Sequence, residues 1–92
     1  MIACPSATSA GLPATAMPPD ARMLAGPNPL LRFTAPFNLS RNPTVSIPCG
    51  PAKSAAPPSL QLVGPRLGEA IILQVAEAFE RATDWHNQRP PV

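Results

Sequence analysis

Residues 33–50 read FTAPFNLSRNPTVSIPCG, and the second half of that block sets the fold class. From Thr44 to Cys49 the residues alternate, so Val45, Ile47 and Cys49 share one face of an extended chain while Thr44, Ser46 and Pro48 share the other. This predicts a short strand with Pro48 near its end or at a sheet edge, because proline has no amide to give to an interior ladder. Gly50 and Pro51 then turn the chain. Leu60, Gln61, Leu62 and Val63 form a second short alternating run, which Gly64 and Pro65 stop. Two runs so close in sequence predict a hairpin-like pair, with Lys53, Ser54 and an Ala/Pro-rich stretch in the connection.

Beyond the second strand, Arg66 to His86 carries the strongest periodic signal. With a turn of about 100° per residue, Leu67, Ile71, Ile72, Val75, Ala78, Phe79, Ala82 and Trp85 fall in one broad apolar sector. Glu69, Gln74, Glu77, Glu80, Arg81 and Asp84 take the other side, and Leu73 falls among them. Glu69 lies in the first turn, where the helix dipole favours an acid, and Glu77 to Arg81 is a well-oriented i,i+4 pair. Arg89, Pro90 and Pro91 end the helix. In the other direction, prolines at 5, 13, 18, 19, 27 and 29 forbid a long helix before Leu30. The only hint of a strand there is Ile2, Ala3, Cys4, which Pro5 is expected to terminate. The sequence thus divides into an irregular Pro/Ala-rich segment at 1–32 and an α/β segment at 33–92, with two short strands and one long amphipathic helix.

Ninety-two residues allow at most one small domain. Fifteen prolines and five glycines, with three Phe, one Trp and no Tyr, leave few large side chains to nucleate a core. Ordering a residue costs about 1.5 kcal/mol, and one helix face with two short strands buries too little apolar surface to offset that. The physical reading is a piece of a larger fold, whose helix face packs on a sheet formed mostly by other chain. The net charge of +2 arises from six scattered Arg and one Lys, without a basic run, which argues against a nucleic-acid footprint. No run of about 18 apolar residues is present, and the N-terminus lacks the basic and apolar regions of a signal peptide. A cytoplasmic location is the expectation.

Candidate chemistry is sparse. Cys4 and Cys49 have neither CxxC spacing nor a second histidine to complete a metal site, so they read as buried thiols in a reducing compartment. Lys53, the one lysine, sits in a Pro/Ala-rich connection and reads as a solvated loop residue, since activation as a base needs burial and a partner. His86 follows Trp85 near a helix C-terminus, where an imidazole interacts favourably with the last carbonyls. Glu77, Glu80 and Asp84 fall on the outward helix face and read as solvated. Ser6, Ser9, Ser40, Ser46, Ser54 and Ser59 include no GxSxG elbow, and the five glycines form no phosphate-binding loop. No catalytic, cofactor-binding or metal-binding residue is nominated.

FTAPFNLSRNPTVSIPCG, followed by LQLVGPRLGEAIILQVAEAFERATDWH, closely resembles the C-terminal end of the amidase-signature enzymes. These are amide hydrolases whose relatives include the A subunit of the glutamyl- and aspartyl-tRNA amidotransferases. Their pattern runs approximately FTxPFNLTGxPxxSxPCG, then DGLPxGLQLVG, then a helix with ExxLLxxAxxFE and a Trp-His ending. The resemblance covers roughly residues 33 to 90 without a gap, and Ile2 to Pro13 correspond to the family's preceding strand and proline-rich loop. It implies a large mixed sheet covered by helices, to which this segment supplies late strands and the last long helix. The family's lysine base, bridging cis-serine and nucleophilic serine lie upstream in a Gly/Ser-rich signature. No stretch here matches that signature, and Lys53 does not align with the catalytic lysine. The positions that carry over are structural: Asn38, Pro43, Cys49, Gly50, Gln61 and Gly64.

Three departures from the family pattern stand out. Arg41 replaces a glycine, at a cost of roughly 1 to 3 kcal/mol if the position is left-handed. SAAPPS at residues 54–59 replaces DGLPxG, which puts a tight hairpin turn in doubt and places Pro58 where an amide donor enters the second strand. Leu31 and Arg32 stand where the A-subunit branch commonly has an acid, which favours a general amidase parent. The resemblance implies a C-terminal amidase segment that is non-catalytic alone and needs no cofactor. The alternative is an interaction module or one piece of a split enzyme, docking its apolar helix face on an N-terminal amidase piece or another protein, with neither nucleic acid nor membrane as partner.

Overall fold

The computed structural model describes residues 1–7, 31–51 and 57–89. They form a small α/β unit: strand β1 (Ile2–Pro5), helix α1 (Ala35–Ser40), strand β2 (Thr44–Pro48), strand β3 (Ser59–Val63), helix α2 (Glu69–Ala82) and a single 3-10 turn at Trp85–Asn87. The sheet is antiparallel in the order β1-β3-β2, with Cys4 opposite Gln61 on one side and Ile47 opposite Leu60 on the other.

The expected pairing of the two alternating runs is therefore present as β2 with β3, but the inventory of two strands is corrected to three. The hint at Ile2 becomes β1, which ends on Pro5 with that proline still paired to Leu60. The reason is the phase of the ladder. The Ser6 amide donates to the Ser59 carbonyl at 3.1 Å, and the Cys49 amide to Pro58 at 2.9 Å. Hydrogen-bonded pairs alternate along an antiparallel ladder, so Pro5 and Pro48 both occupy positions whose amide faces away from β3. Each edge strand thus carries its proline where no bond is lost, and the same prolines blunt the outer edges. Pro58 acts differently. It sits at an inward position and has no proton to return to Cys49, so that pair keeps one of its two bonds, as its place at the strand entry implies.

Between β1 and β2 the chain forms α1, which the alternation does not resolve. Pro36 lies in the first turn, where a fixed φ favours a helix and no amide is missed. The helix ends at Arg41, whose backbone is left-handed (φ 59°, ψ 34°) and whose amide donates to the Phe37 carbonyl. The glycine of the family pattern thus corresponds to a position that does require the left-handed conformation.

The long helix is shorter than Arg66–His86. Leu67 precedes it at φ 60° and is 91% exposed, so it does not belong to the packed face. At the other end Thr83 turns extended (φ −136°, ψ 168°), its hydroxyl donates to the Phe79 carbonyl at 2.9 Å, and Trp85 and His86 enter the separate 3-10 turn. The end lies before Arg89, and Pro90 and Pro91 fall outside the described residues.

One sheet face carries Val45, Ile47, Leu60 and Leu62 and receives α2 through Ile72, Val75, Ala76 and Phe79. The buried apolar residues among those described are Ile47, Leu62, Val63, Ile72 and Ala76, which is the thin core that the composition implies. Ala76, outside the predicted sector, is buried, while Ile71 at its far side is 48% exposed, so the packed stripe is rotated from the sector's centre. Close packing at Gly64 fixes the helix position: a Cβ there would lie 2.6 Å from the Ile72 γ2 methyl. Residues 8–30, read as irregular, and the Ala/Pro-rich connection at 52–56 lie outside the described residues.

Candidate functional site

Apart from Asn38, the positions carried over by resemblance gather along β3 and the residues at its two ends. Gln61 is only 2% exposed, and its Nε2 donates to the Phe33 carbonyl at 2.8 Å and lies 3.5 Å from the Cys4 thiol. Pro43 accepts the Gly64 amide at 3.0 Å, which extends the β2–β3 ladder beyond the strand ends. Cys49 is half-buried and its thiol points at the Pro58 carbonyl 3.5 Å away, while buried Gly50 leaves room for the Pro58 ring. Asn38 is exposed on α1.

Sequence reasoning missed Asn42. Its Nδ2 donates to the Gly64 carbonyl at 2.8 Å, and its Oδ1 accepts the Ser40 hydroxyl at 2.6 Å. The Asn-Pro step at 42–43 is a turn signal, and an Asn side chain there binds nearby backbone readily. These contacts position backbone and leave no carboxamide free to polarise a substrate.

Among the described residues, two surface depressions bring polar groups together. A groove of about 410 Å³ lies between α1 and the ends of β1 and β3, lined by Ile2, Phe37, Val63 and Pro65, with Ser40 and Asn42 already bonded to each other. Such a lining suits apolar contact. The second, about 380 Å³, lies at the end of α2 and gathers Glu77, Glu80, Arg81, Asp84 and His86. Arg81 is paired to Glu77 at 2.6 Å, and both side chains are mostly exposed, so the pair is solvated as its place on the helix implies. Asp84 and His86 are likewise exposed; Glu80 is half-buried.

Among the described residues the serines hold no catalytic constellation. The Ser6 hydroxyl donates to Ser46 Oγ at 3.0 Å, across the sheet face opposite α2, and no basic group is hydrogen-bonded to either among the described residues. A nucleophilic serine needs a base within reach, so this pair is a structural tie. Among the described residues no group of three or more His, Cys, Asp or Glu could hold a metal ion. Lys53, Ser9 and Ser54 fall outside the described residues. No described helix is long and apolar enough to cross a membrane.

The resemblance of the sequence to the amidase-signature enzymes is supported by comparison with known proteins. The chain is 49% identical over 60 residues to the A subunit of glutamyl-tRNA(Gln) amidotransferase from Synechococcus sp. (strain JA-2-3B'a(2-13)), a match covering 65% of this chain and 12% of that protein. It is likewise 49% identical over 60 residues to the corresponding protein of Streptococcus equi subsp. zooepidemicus, and 47% identical over 58 residues to that of Cupriavidus necator. The chain is thus related to the amidotransferase A subunits and spans about 12% of the length of the relatives it matches. These three relatives are all A subunits, which gives the expected general-amidase parent no support. No family model matches the chain, and no solved structure gives a significant match.

Proposed function

We propose that this chain is the C-terminal scaffold segment of an amidase-signature amide hydrolase, one that contributes late strands and the last long helix and does not hydrolyse amides by itself. The observation that carries this reading is the identity of 49% over 60 residues confined to 12% of a relative's length. It is supported by the absence, from these 92 residues, of a Gly/Ser-rich signature with a serine, cis-serine and lysine. In a full-length relative, the serine attacks an amide carbonyl and ammonia or an amine leaves. The segment holds no cofactor on this reading, acts in the cytoplasm, and binds neither nucleic acid nor membrane. The purified chain is expected to release no ammonia from simple amides; sustained hydrolysis free of contaminating amidase would overturn the reading.

A second reading has the chain act as a separate interaction piece. Ile71 remains 48% exposed beside the packed stripe, with exposed Ala78 and Ala82 along the same side of α2, and this strip suits a neighbouring apolar layer. The partner is then the N-terminal part of an amidase. Mixing the chain with an amidotransferase A chain lacking its corresponding segment is expected to restore amide hydrolysis; a mixture as inactive as either component counts against docking while leaving the scaffold assignment intact.

A further inference from the structure

We propose that residues 31–41 form a strap, latched at one end and hinged at the other, that lifts off the sheet and unwinds as a unit, a six-residue helix being unstable alone, while β3 and α2 stay folded. The strap comprises the turn at Leu31–Thr34 and α1, and none of the α1 residues is buried. Its latch is the Gln61 carboxamide, which reaches from the buried centre of β3 to the Phe33 carbonyl at 2.8 Å. Its hinge is Arg41, whose left-handed backbone is strained for a side-chain-bearing residue. Just past the hinge the chain is fixed: Asn42 bonds the Gly64 carbonyl, and Pro43 takes the Gly64 amide. An element held by one part-buried bond and the half-buried Phe33, Thr34, Ala35 and Phe37, next to a strained joint, is what low-energy local opening selects. Opening gives the Phe33 carbonyl and the Gln61 amide to water. The same Gln61 nitrogen lies 3.5 Å from the half-buried Cys4 thiol.

Hydrogen exchange on the whole 92-residue chain tests this. The bonded amides of Phe37, Asn38 and Asn42 report the strap, and those of Leu62 and Ala76 report the core. The strap amides are expected to exchange together, about 10-fold or more faster than the core amides after correction for intrinsic rates. Ile47→Val, on the sheet face away from the strap, is expected to speed the core amides about 5-fold and leave the strap amides unchanged. Arg41→Gly relieves the hinge and is expected to slow the strap amides about 5-fold. Strap and core amides exchanging at one rate, strap amides accelerated along with the core by Ile47→Val, or strap exchange indifferent to Arg41→Gly would each overturn the proposal.

Discussion

Arg41 and Leu67 are both left-handed without being glycine, at φ 59° and φ 60°. A Cβ in that region clashes with the neighbouring carbonyl, at about 1 kcal/mol or more. Arg41→Gly is therefore expected to stabilise the chain by about 1 kcal/mol, and Leu67→Asn by somewhat less, read as a higher urea midpoint at unchanged slope. Gly64 is the opposite case. A Cβ there would lie 2.6 Å from the Ile72 γ2 methyl, so Gly64→Ala forces α2 outward, with an expected loss of about 1–3 kcal/mol in the same measurement. Arg41 and Gly64 are both legible in the sequence as special positions, through the family pattern. Leu67 is not, because its apolar side chain fits the helical sector and nothing local shows that the chain turns left-handed before the helix starts.

At the level of elements, alternation finds β2 and β3 because each has one face against α2, and that asymmetry is what a two-residue period reports. It places the end of β1 at Pro5, where the strand does stop, but does not show that ladder phase lets Pro5 itself stay paired. Helix α2 is evident from its period but not its length, since the pattern continues through Trp85 while the backbone breaks at Thr83. Ile72 is 3% exposed and central to the helix contact, so Ile72→Ala is expected to cost about 2–5 kcal/mol and to abolish most helical circular dichroism. The Glu77–Arg81 pair is mostly exposed, and Glu77→Gln is expected to change stability by about 0.3 kcal/mol, an effect erased by high salt.

Across the whole molecule, two layers meet over a small core: α2 covers one sheet face, and the strap lies against the other. A core with five buried apolar residues among those described gives little margin for cooperative unfolding. The isolated chain is expected to melt broadly by circular dichroism, and an amidase part that docks on it is expected to raise and sharpen the transition, since a ligand of the native state stabilises by mass action. An unchanged melt in the presence of saturating partner would argue against docking.

The two paired strands, the amphipathic helix, the thin core and the relationship to amide hydrolases can all be read from the order of residues, because periodicity and a long motif are properties of neighbours in the chain. The same order withholds a catalytic assignment, since no base, nucleophile or metal cluster stands at a usable spacing. Folding in three dimensions settles the rest: Ile2–Pro5 is a third strand, Gln61 fastens Phe33, and Ala76 rather than Leu67 packs against the sheet. Each of those depends on contacts between residues far apart in the chain, where hydrogen-bond phase and close approach, not local propensity, decide.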